Sequence, residues 1–339
     1  MSPEVLPLSV VVPVRHERPD PDLGARLGAL AEHVAEVIVV DGSDPAVADA
    51  HAREWPSAVR HLRLADEDRT PMGKVGGVLA GARAAGHDIL VVADDDVVWQ
   101  RHQLERAHAV MAGTELAALR PQNRYTEMTL VARWDTGRTL IQRALGGDWP
   151  GTVVVRRSAL LPEGYRGDVL FENLELEREL RRRGGTVAVD LRLVVDRVPP
   201  TATHFWGQRV RQAYDEMARP AHLAAELALL PIAVVGGRRA VVALAVGAVA
   251  LAEVGRRRND GRASFPPTAA LWAPLWVGER AVTSWLAVGA RLRGGVRYRD
   301  GRLRHAAGPP PRRITRRGDP DVVSDPAPRR AERTHEEVR

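Results

Sequence analysis

Residues 88–98 read Asp88-Ile89-Leu90-Val91-Val92-Ala93-Asp94-Asp95-Asp96-Val97-Val98. The apolar run from Ile89 to Val92 has the length and β-branched content of a strand buried on both faces. Three consecutive carboxylates, Asp94, Asp95 and Asp96, follow where such a strand would leave its sheet. Adjacent carboxylates repel one another and favour turns over strands, so stability gives no reason for them. A divalent cation does, because Mg²⁺ or Mn²⁺ takes hard oxygen ligands and is held by one or two carboxylates plus substrate phosphates. The competing reading is a solvated acidic loop, and the neighbouring sequence decides between the two.

Outward from this run, strands and helices alternate. Residues 8–14, 36–40 and 59–64 read as strands, and 25–34, 46–54 and 75–85 have helical spacing, the last rich in small residues. Alternation of this kind predicts an α/β fold with a parallel, covered sheet. Ligands of such sheets bind beyond the carboxyl ends of the strands. Glu17, Asp41 and the run at 94–96 all fall just past strand ends, which predicts their convergence on one crevice. No Gly-x-Gly-x-x-Gly follows the first strand, so a dinucleotide-binding fold is not expected. Gly73-Lys74 has the look of a phosphate loop, but Val75 stands where Ser or Thr is needed and Asp68 where the first Gly is needed. Lys74, the only lysine of the chain, precedes a predicted helix start, where anions are favoured; its plain alternative is a surface lysine.

The 339 residues suffice for a sizeable core and more than one structural unit. With no cysteine, disulfides and thiolate metal sites are excluded, and a metal must use oxygen or imidazole ligands. From residue 291 on, fourteen Arg stand against seven Asp plus Glu, a surplus of seven that accounts for the net charge of +6. A basic tail on a neutral body points to a membrane surface or another anionic partner, and no nucleic-acid partner is expected. Residues 5–14 lack the preceding basic region of a secretory signal.

Further on, 101–111 and 127–145 read as helices and 152–157 as a strand. Residues 171–183 form a charged helix closed by Gly184-Gly185. Glu177 and Glu179 have Arg181 and Arg183 at i,i+4, a structural explanation for both. Glu172 has Leu176 at that offset and is either a cap-like charge at the helix start or a base at the mouth of the crevice. In Thr203-His204-Phe205-Trp206-Gly207-Gln208-Arg209-Val210-Arg211-Gln212, Gln208 and Arg211 share a helix face suited to a diphosphate or sugar hydroxyls.

Together these residues resemble those of inverting family 2 glycosyltransferases of the GT-A fold, most nearly the bacterial ceramide-glucosyltransferase-like branch, over roughly residues 8–215. Val11-Val12-Pro13-Val14-Arg15-His16-Glu17 resembles the family's opening strand, Val39-Val40-Asp41-Gly42-Ser43-Asp44 its base-binding turn, and Gly73-Lys74-Val75-Gly76-Gly77 the loop after the third strand. Ala93-Asp94-Asp95-Asp96-Val97 matches the Asp-x-Asp motif, and Gln208-Arg209-Val210-Arg211-Gln212 resembles Gln-x-x-Arg-Trp with Gln212 in place of Trp. The resemblance implies that Pro13, Glu17, Asp41, Lys74, Asp94, Asp95, Gln208 and Arg211 hold a nucleoside-diphosphate sugar. It implies Asp94, Asp96 and His204 as ligands of Mg²⁺ or Mn²⁺, and a carboxylate of the charged helix as catalytic base. Asn173 stands where that family most often has Asp, and an amide takes no proton at neutral pH. The base is therefore Glu172 or Glu175, unless the chain is a non-catalytic GT-A-like membrane binding protein. A nucleotidyltransferase would need a basic, glycine-rich loop after the first strand, which the chain lacks.

In the C-terminal third, apolar runs at 223–235 and 240–252 flank Gly236-Gly237-Arg238-Arg239, and each is too short to cross a bilayer comfortably. Residues 271–290 read as an interfacial helix with Trp272 and Trp276 on one face, or as a helical subdomain packed on the sheet. The expected organisation is a GT-A domain over 1–215, an apolar helical region over 216–300 and a disordered basic tail over 301–339. The expected setting is the cytoplasmic face of the cell membrane, with a lipid or lipid-linked acceptor and with the region from 221 on dispensable for nucleotide binding.

Overall fold

The computed structural model describes residues 5–161, 163–298 and 301–310. β1 (Leu6–Val14), β2 (Val34–Asp41), β3 (Val59–Arg63) and β4 (Ile89–Ala93) are the expected strands, joined by α1 (Pro21–Ala31), α2 (Pro45–Glu54) and α3 (Gly73–Ala84). They pair in the order β3-β2-β1-β4, parallel throughout. Alternate residues feed opposite faces, which is why these runs are apolar end to end. Val10, Val12, Val39 and Val91 pack with Leu23, Leu27 and Leu104 on one side. Ile38, Val40, Leu90 and Val92 pack with Val75, Val78 and Ala82 on the other. The small residues of α3 let it lie against the sheet. A Cβ added at Gly77 would stand 2.7 Å from Pro13 Cβ, and one at Gly81 would stand 2.3 Å from Val11 Cγ1.

Beyond β4 the sheet is mixed. β5 (Val97–Val98), β6 (Leu116–Tyr125), β7 (Thr152–Arg156) and β8 (Thr186–Arg197) complete an eight-stranded order β3-β2-β1-β4-β7-β6-β8-β5. β7 runs antiparallel to β4 and β6, β6 parallel to β8, and β5 antiparallel to β8. α4 (Arg101–Ala112), α5 (Leu130–Ala144), α6 (Arg157–Leu160), α7 (Glu172–Arg182) and α8 (Ala202–Asp215) connect and flank these strands. α5 starts three residues later than 127, where the Thr129 hydroxyl accepts from the Ala132 amide and caps it. The direct ion pair of Glu177 is with Arg120 at 3.1 Å rather than with Arg181, whose guanidinium donates to the Val187 carbonyl and acts on Glu177 through its charge.

The two apolar runs form one long helix, α9 (Pro220–Arg257), broken at Gly237, whose φ of +56° is open chiefly to glycine. The short α10 (Gly261–Ser264) leads to α11 (Ala273–Leu292). One face of α11 is packed, while Leu275, Val282, Trp285 and Leu286 on the same helix are exposed. Ala273, Trp276, Arg280, Ser284 and Ala287 are buried on it, and Leu140, Ala248, Ala252, Phe265 and Trp276 share a core. The chain stays ordered past 301, against expectation. β9 (Val296–Tyr298) pairs with β10 (Gly301–Leu303), and the amides of Leu170 and Phe171 donate to His305 and Ala306. Residues 311–339, where the rest of the basic tail lies, are outside the described residues.

Candidate active site

A cavity of about 440 Å³ opens beyond the carboxyl ends of β1 and β4 and is walled on its far side by α8 and α11. Pro13 from β1, Lys74 from the first turn of α3, Asp94 and Asp95 from the end of β4, Glu172 and Asn173 from the start of α7, and Gln208 and Arg211 from α8 all line it. The structure therefore brings together most of the residues singled out from the sequence. Local packing sets the acidic end of the strand. The Asp94 amide donates to Gly151 O at 2.7 Å, and a Cβ at Gly151 would stand 2.1 Å from Asp94 Oδ2 and displace that carboxylate.

Lys74 Nζ lies 2.6 Å from Asp94 Oδ1 and 2.9 Å from Glu172 Oε1, and so bridges the two acidic elements. Burial alone would depress this ammonium, but the two carboxylates outweigh it and hold the charge. Burial pushes Asp94 up to about 6, against the pull of Lys74. Asp95 turns the other way, to His16 Nε2 at 2.6 Å, and that bond keeps it below the usual carboxylate range despite burial. Asp96 meets Arg197 at 2.8 Å, while its Oδ1 is buried with no hydrogen-bond partner. Asp41 lies below the cavity floor, held by Ser43, His51 and His61, and Gly42 beside it forms the wall.

Besides Asp41, four sequence candidates lie outside the cavity lining: Asp96, Glu17, His204 and Glu175. Glu17 is exposed and outside its lining, and His16 makes the contact to the acidic run instead. His204 is exposed and bonded to Gln208 on its own helix, so it joins no carboxylate set. Glu175 is fully buried between Arg182 at 3.0 Å and the Gly308 amide, away from the cavity. Of the two carboxylates proposed as base, only Glu172 faces the space where an acceptor could stand.

Several lining residues escaped the sequence reading. Arg197 comes from β8, a strand not recognised, and Trp149 and Gly151 precede β7. Asp215 and Arg219 follow the Gln-x-x-Arg segment by a few residues, and Arg280 comes from α11 beside Trp276, which the sequence placed on the face of an interfacial helix and not in a cavity. Asp215 is raised well above the carboxylate range by burial, reinforced by Glu172 and Glu216. The one available signal was position: Asp215 lies four residues after Arg211, hence on the same helix face.

A parallel half-sheet, an acidic strand end and a facing carboxylate over one cavity define the GT-A class of sugar-nucleotide transferase folds. Residues 6–218 match the glycosyltransferase-like family 2, and the chain belongs to that family; it is a glycosyltransferase. Among solved structures it is similar to the mannosyltransferase PcManGT of Pyrobaculum calidifontis, at 16% identity over 83% of this chain and 88% of that one, with a TM-score of 0.51. Fainter likenesses, both at a TM-score of 0.39 over 61% of this chain, are to two phosphoglycerate glycosyltransferases. One is glucosyl-3-phosphoglycerate synthase of Mycobacterium tuberculosis (19% identity, 78% of that chain). The other is mannosyl-3-phosphoglycerate synthase of Rubrobacter xylanophilus (16% identity, 71% of that chain). No curated protein matches the sequence.

Proposed function

We propose that this glycosyltransferase moves a sugar, with inversion, from a nucleoside diphosphate to a hydroxyl of a lipid or lipid-linked acceptor at a membrane surface, as the ceramide-glucosyltransferase-like branch would. The observation that carries the reading is the opposition, across Lys74, of the acidic end of β4 and Glu172 in one cavity. Asp94 and Asp96 would hold Mg²⁺ or Mn²⁺, and the buried, unpartnered Oδ1 of Asp96 fits that role. No cluster of three His, Asp or Glu able to hold a metal exists among the described residues, so the remaining ligands would be substrate phosphates, as is usual for Mg²⁺. The solved P. calidifontis mannosyltransferase carries GDP-Man and Mn²⁺, which supports the same class of donor here. Bound there, the ion supplies Lewis-acid stabilisation of the departing diphosphate.

The chain's own residues do the rest. Lys74 and Arg197 place positive charge beside the diphosphate, and Gln208 lines the same cavity from α8. Glu172 takes the proton of the acceptor hydroxyl. That oxygen attacks the anomeric carbon as the bond to the diphosphate oxygen breaks, the electron pair leaving with the nucleotide. Asn173 donates to Pro150 O at 3.4 Å and steadies the start of α7.

Membrane association is supported by an apolar 18-residue stretch of the α9 helix, of mean hydropathy 1.8, in which no residue is buried. By length and composition this helix could cross a membrane. Arg238 and Arg239 at its break instead favour a surface position, because charge at the bilayer centre is costly. The test is a panel of nucleotide sugars with Mn²⁺, read as nucleoside diphosphate release, with and without membrane extract as acceptor. Release from one donor that rises with extract is the expected result; no release from any donor overturns the reading.

A further inference from the structure

The acceptor side of the cavity gathers three arginines beside the carboxyls of Asp215 and Glu216. Arg211 on α8, Arg219 just after it and Arg280 on α11 converge on it from different elements. Arg280 is 2% exposed, yet its Nε and Nη1 are buried without a hydrogen-bond partner among the described residues. Its nearest carboxylate oxygen, Glu226 Oε1, is 3.7 Å from Nε, and the Trp276 ring lies 5.2 Å from the guanidinium. The Nε atoms of Arg211 and Arg219 are likewise buried and unpartnered. Arg219 spends its other nitrogens on Glu216 and Gln142, and Arg211 stacks on Tyr298 at 4.7 Å. Buried guanidinium donors left unfilled are costly; such nitrogens occur also at Arg26 and Arg120, but these three arginines line one cavity together.

We propose that Arg211, Arg219 and Arg280 form a seat for a phosphate ester on the acceptor. This deepens the transferase reading and rests on it. Guanidinium donors reaching in from three elements suit a tetrahedral phosphate, whereas a carboxylate is satisfied by one bidentate fork. The seat is distinct from the donor end. Glu172 touches Lys74 on the strand side, and its charge also acts on Asp215, which neighbours Arg211 and Arg219. A phosphate among the arginines therefore stands across Glu172 from Asp94, where the acceptor must lie. It belongs either to a soluble phosphate ester or to a phospholipid headgroup.

The test titrates the full-length protein, in EDTA and without nucleotide, with glycerol 1-phosphate by calorimetry. Binding is expected, with Arg280→Gln and Arg219→Gln each weakening it by about tenfold or more, the loss of a charge-assisted hydrogen bond. Because Arg280→Gln strands Glu226, the double variant Arg280→Gln/Glu226→Gln is measured too, and it must show the same loss. Phosphatidylcholine vesicles with and without phosphatidic acid form the second arm. If Arg280→Gln removes the preference for phosphatidic acid, the phosphate is a headgroup; if the preference persists while glycerol 1-phosphate binding is lost, it is a soluble ester. The seat is overturned if wild type binds no glycerol 1-phosphate, if acetate binds as tightly, or if the double variant binds as wild type does. Turnover plays no part in this titration. Phosphate binding in a protein that turns over no donor would therefore sink the transferase reading alone, and turnover without phosphate binding would sink the seat alone.

Discussion

Glu172 and Glu175 lie three residues apart at the start of α7, yet one lines the cavity and the other is sealed from it. Helix geometry puts both on nearly the same face, so spacing could not separate them; the C-terminal segment at Gly308, which covers Glu175, does. Glu172→Gln is therefore expected to lower kcat by about a hundred- to ten-thousand-fold, the usual contribution of a positioned base, with nucleoside diphosphate affinity little changed. Glu175→Gln should keep most activity and lose about 1–3 kcal/mol of stability, because the buried charge-assisted bonds from Arg182 and the Gly308 amide are weakened. An inactive but fully folded Glu175→Gln beside an active Glu172→Gln would reverse the assignment. At the strand end, Asp96→Ala and EDTA treatment of wild type should each abolish transfer. Full turnover by protein shown to hold no metal would remove the ion from the mechanism.

The strands that read clearly are those whose both faces are apolar. β1, β2 and β4 announced themselves, and with them the positions of Pro13, Asp41 and the acidic run. β6 and β8 did not, for a physical reason. β6 carries Arg120, Gln122, Asn123 and Arg124, and β8 carries Asp190, Arg192, Asp196 and Arg197, which break the apolar pattern. Their charged groups pair across the chain: Asp190 with Arg106, Asp196 with Arg124 and Arg197 with Asp96, at 2.7–2.8 Å. Nothing local in the sequence declares such pairs, so Arg197 went unread. The same holds for Asp135 on α5. It binds Arg138 at 3.0 Å, Arg209 of α8 at 3.1 Å and the Tyr125 hydroxyl of β6 at 2.8 Å. Burial opposes its charge, but the two arginines hold the carboxyl well below the usual range. A depressed folded value means that its stabilisation is complete above the unfolded value of about 3.9 and fades as pH falls below it. Asp135→Asn should cost about 3–5 kcal/mol at neutral pH, as breaking a buried ion pair does, and should flatten the loss of stability below about pH 4. Denaturant unfolding of both proteins at neutral and acid pH measures it, and equal midpoints at neutral pH would refute it.

At the scale of the whole molecule, the C-terminal helices are two things at once. α11 and the ends of α9 are part of the transferase body, with Trp276 and Arg280 in the cavity wall and Gly255 packed on Leu140. A chain cut after Pro220 would lose that part of the wall, Trp276 and Arg280 with it. The middle of α9 is different. Val234, Val235, Val241 and Val242 flank the break at Gly237, and each is more than half exposed. Removing a valine side chain from water is worth roughly 1 kcal/mol when, as here, it starts partly covered. If these four enter the headgroup region, replacing all of them with Ser should weaken vesicle binding by about a hundredfold or more, at 1.4 kcal/mol per factor of ten. No cavity residue is touched, so nucleoside diphosphate binding should be unchanged. The measurement is co-sedimentation with phosphatidylcholine–phosphatidylglycerol vesicles at low and high salt. Salt should weaken the arginine contribution of both proteins, while the difference between them should persist because burial of valine is not screened. Wild-type protein that stays in the supernatant at low salt, or a variant that pellets as wild type does, would show that α9 faces something other than a membrane.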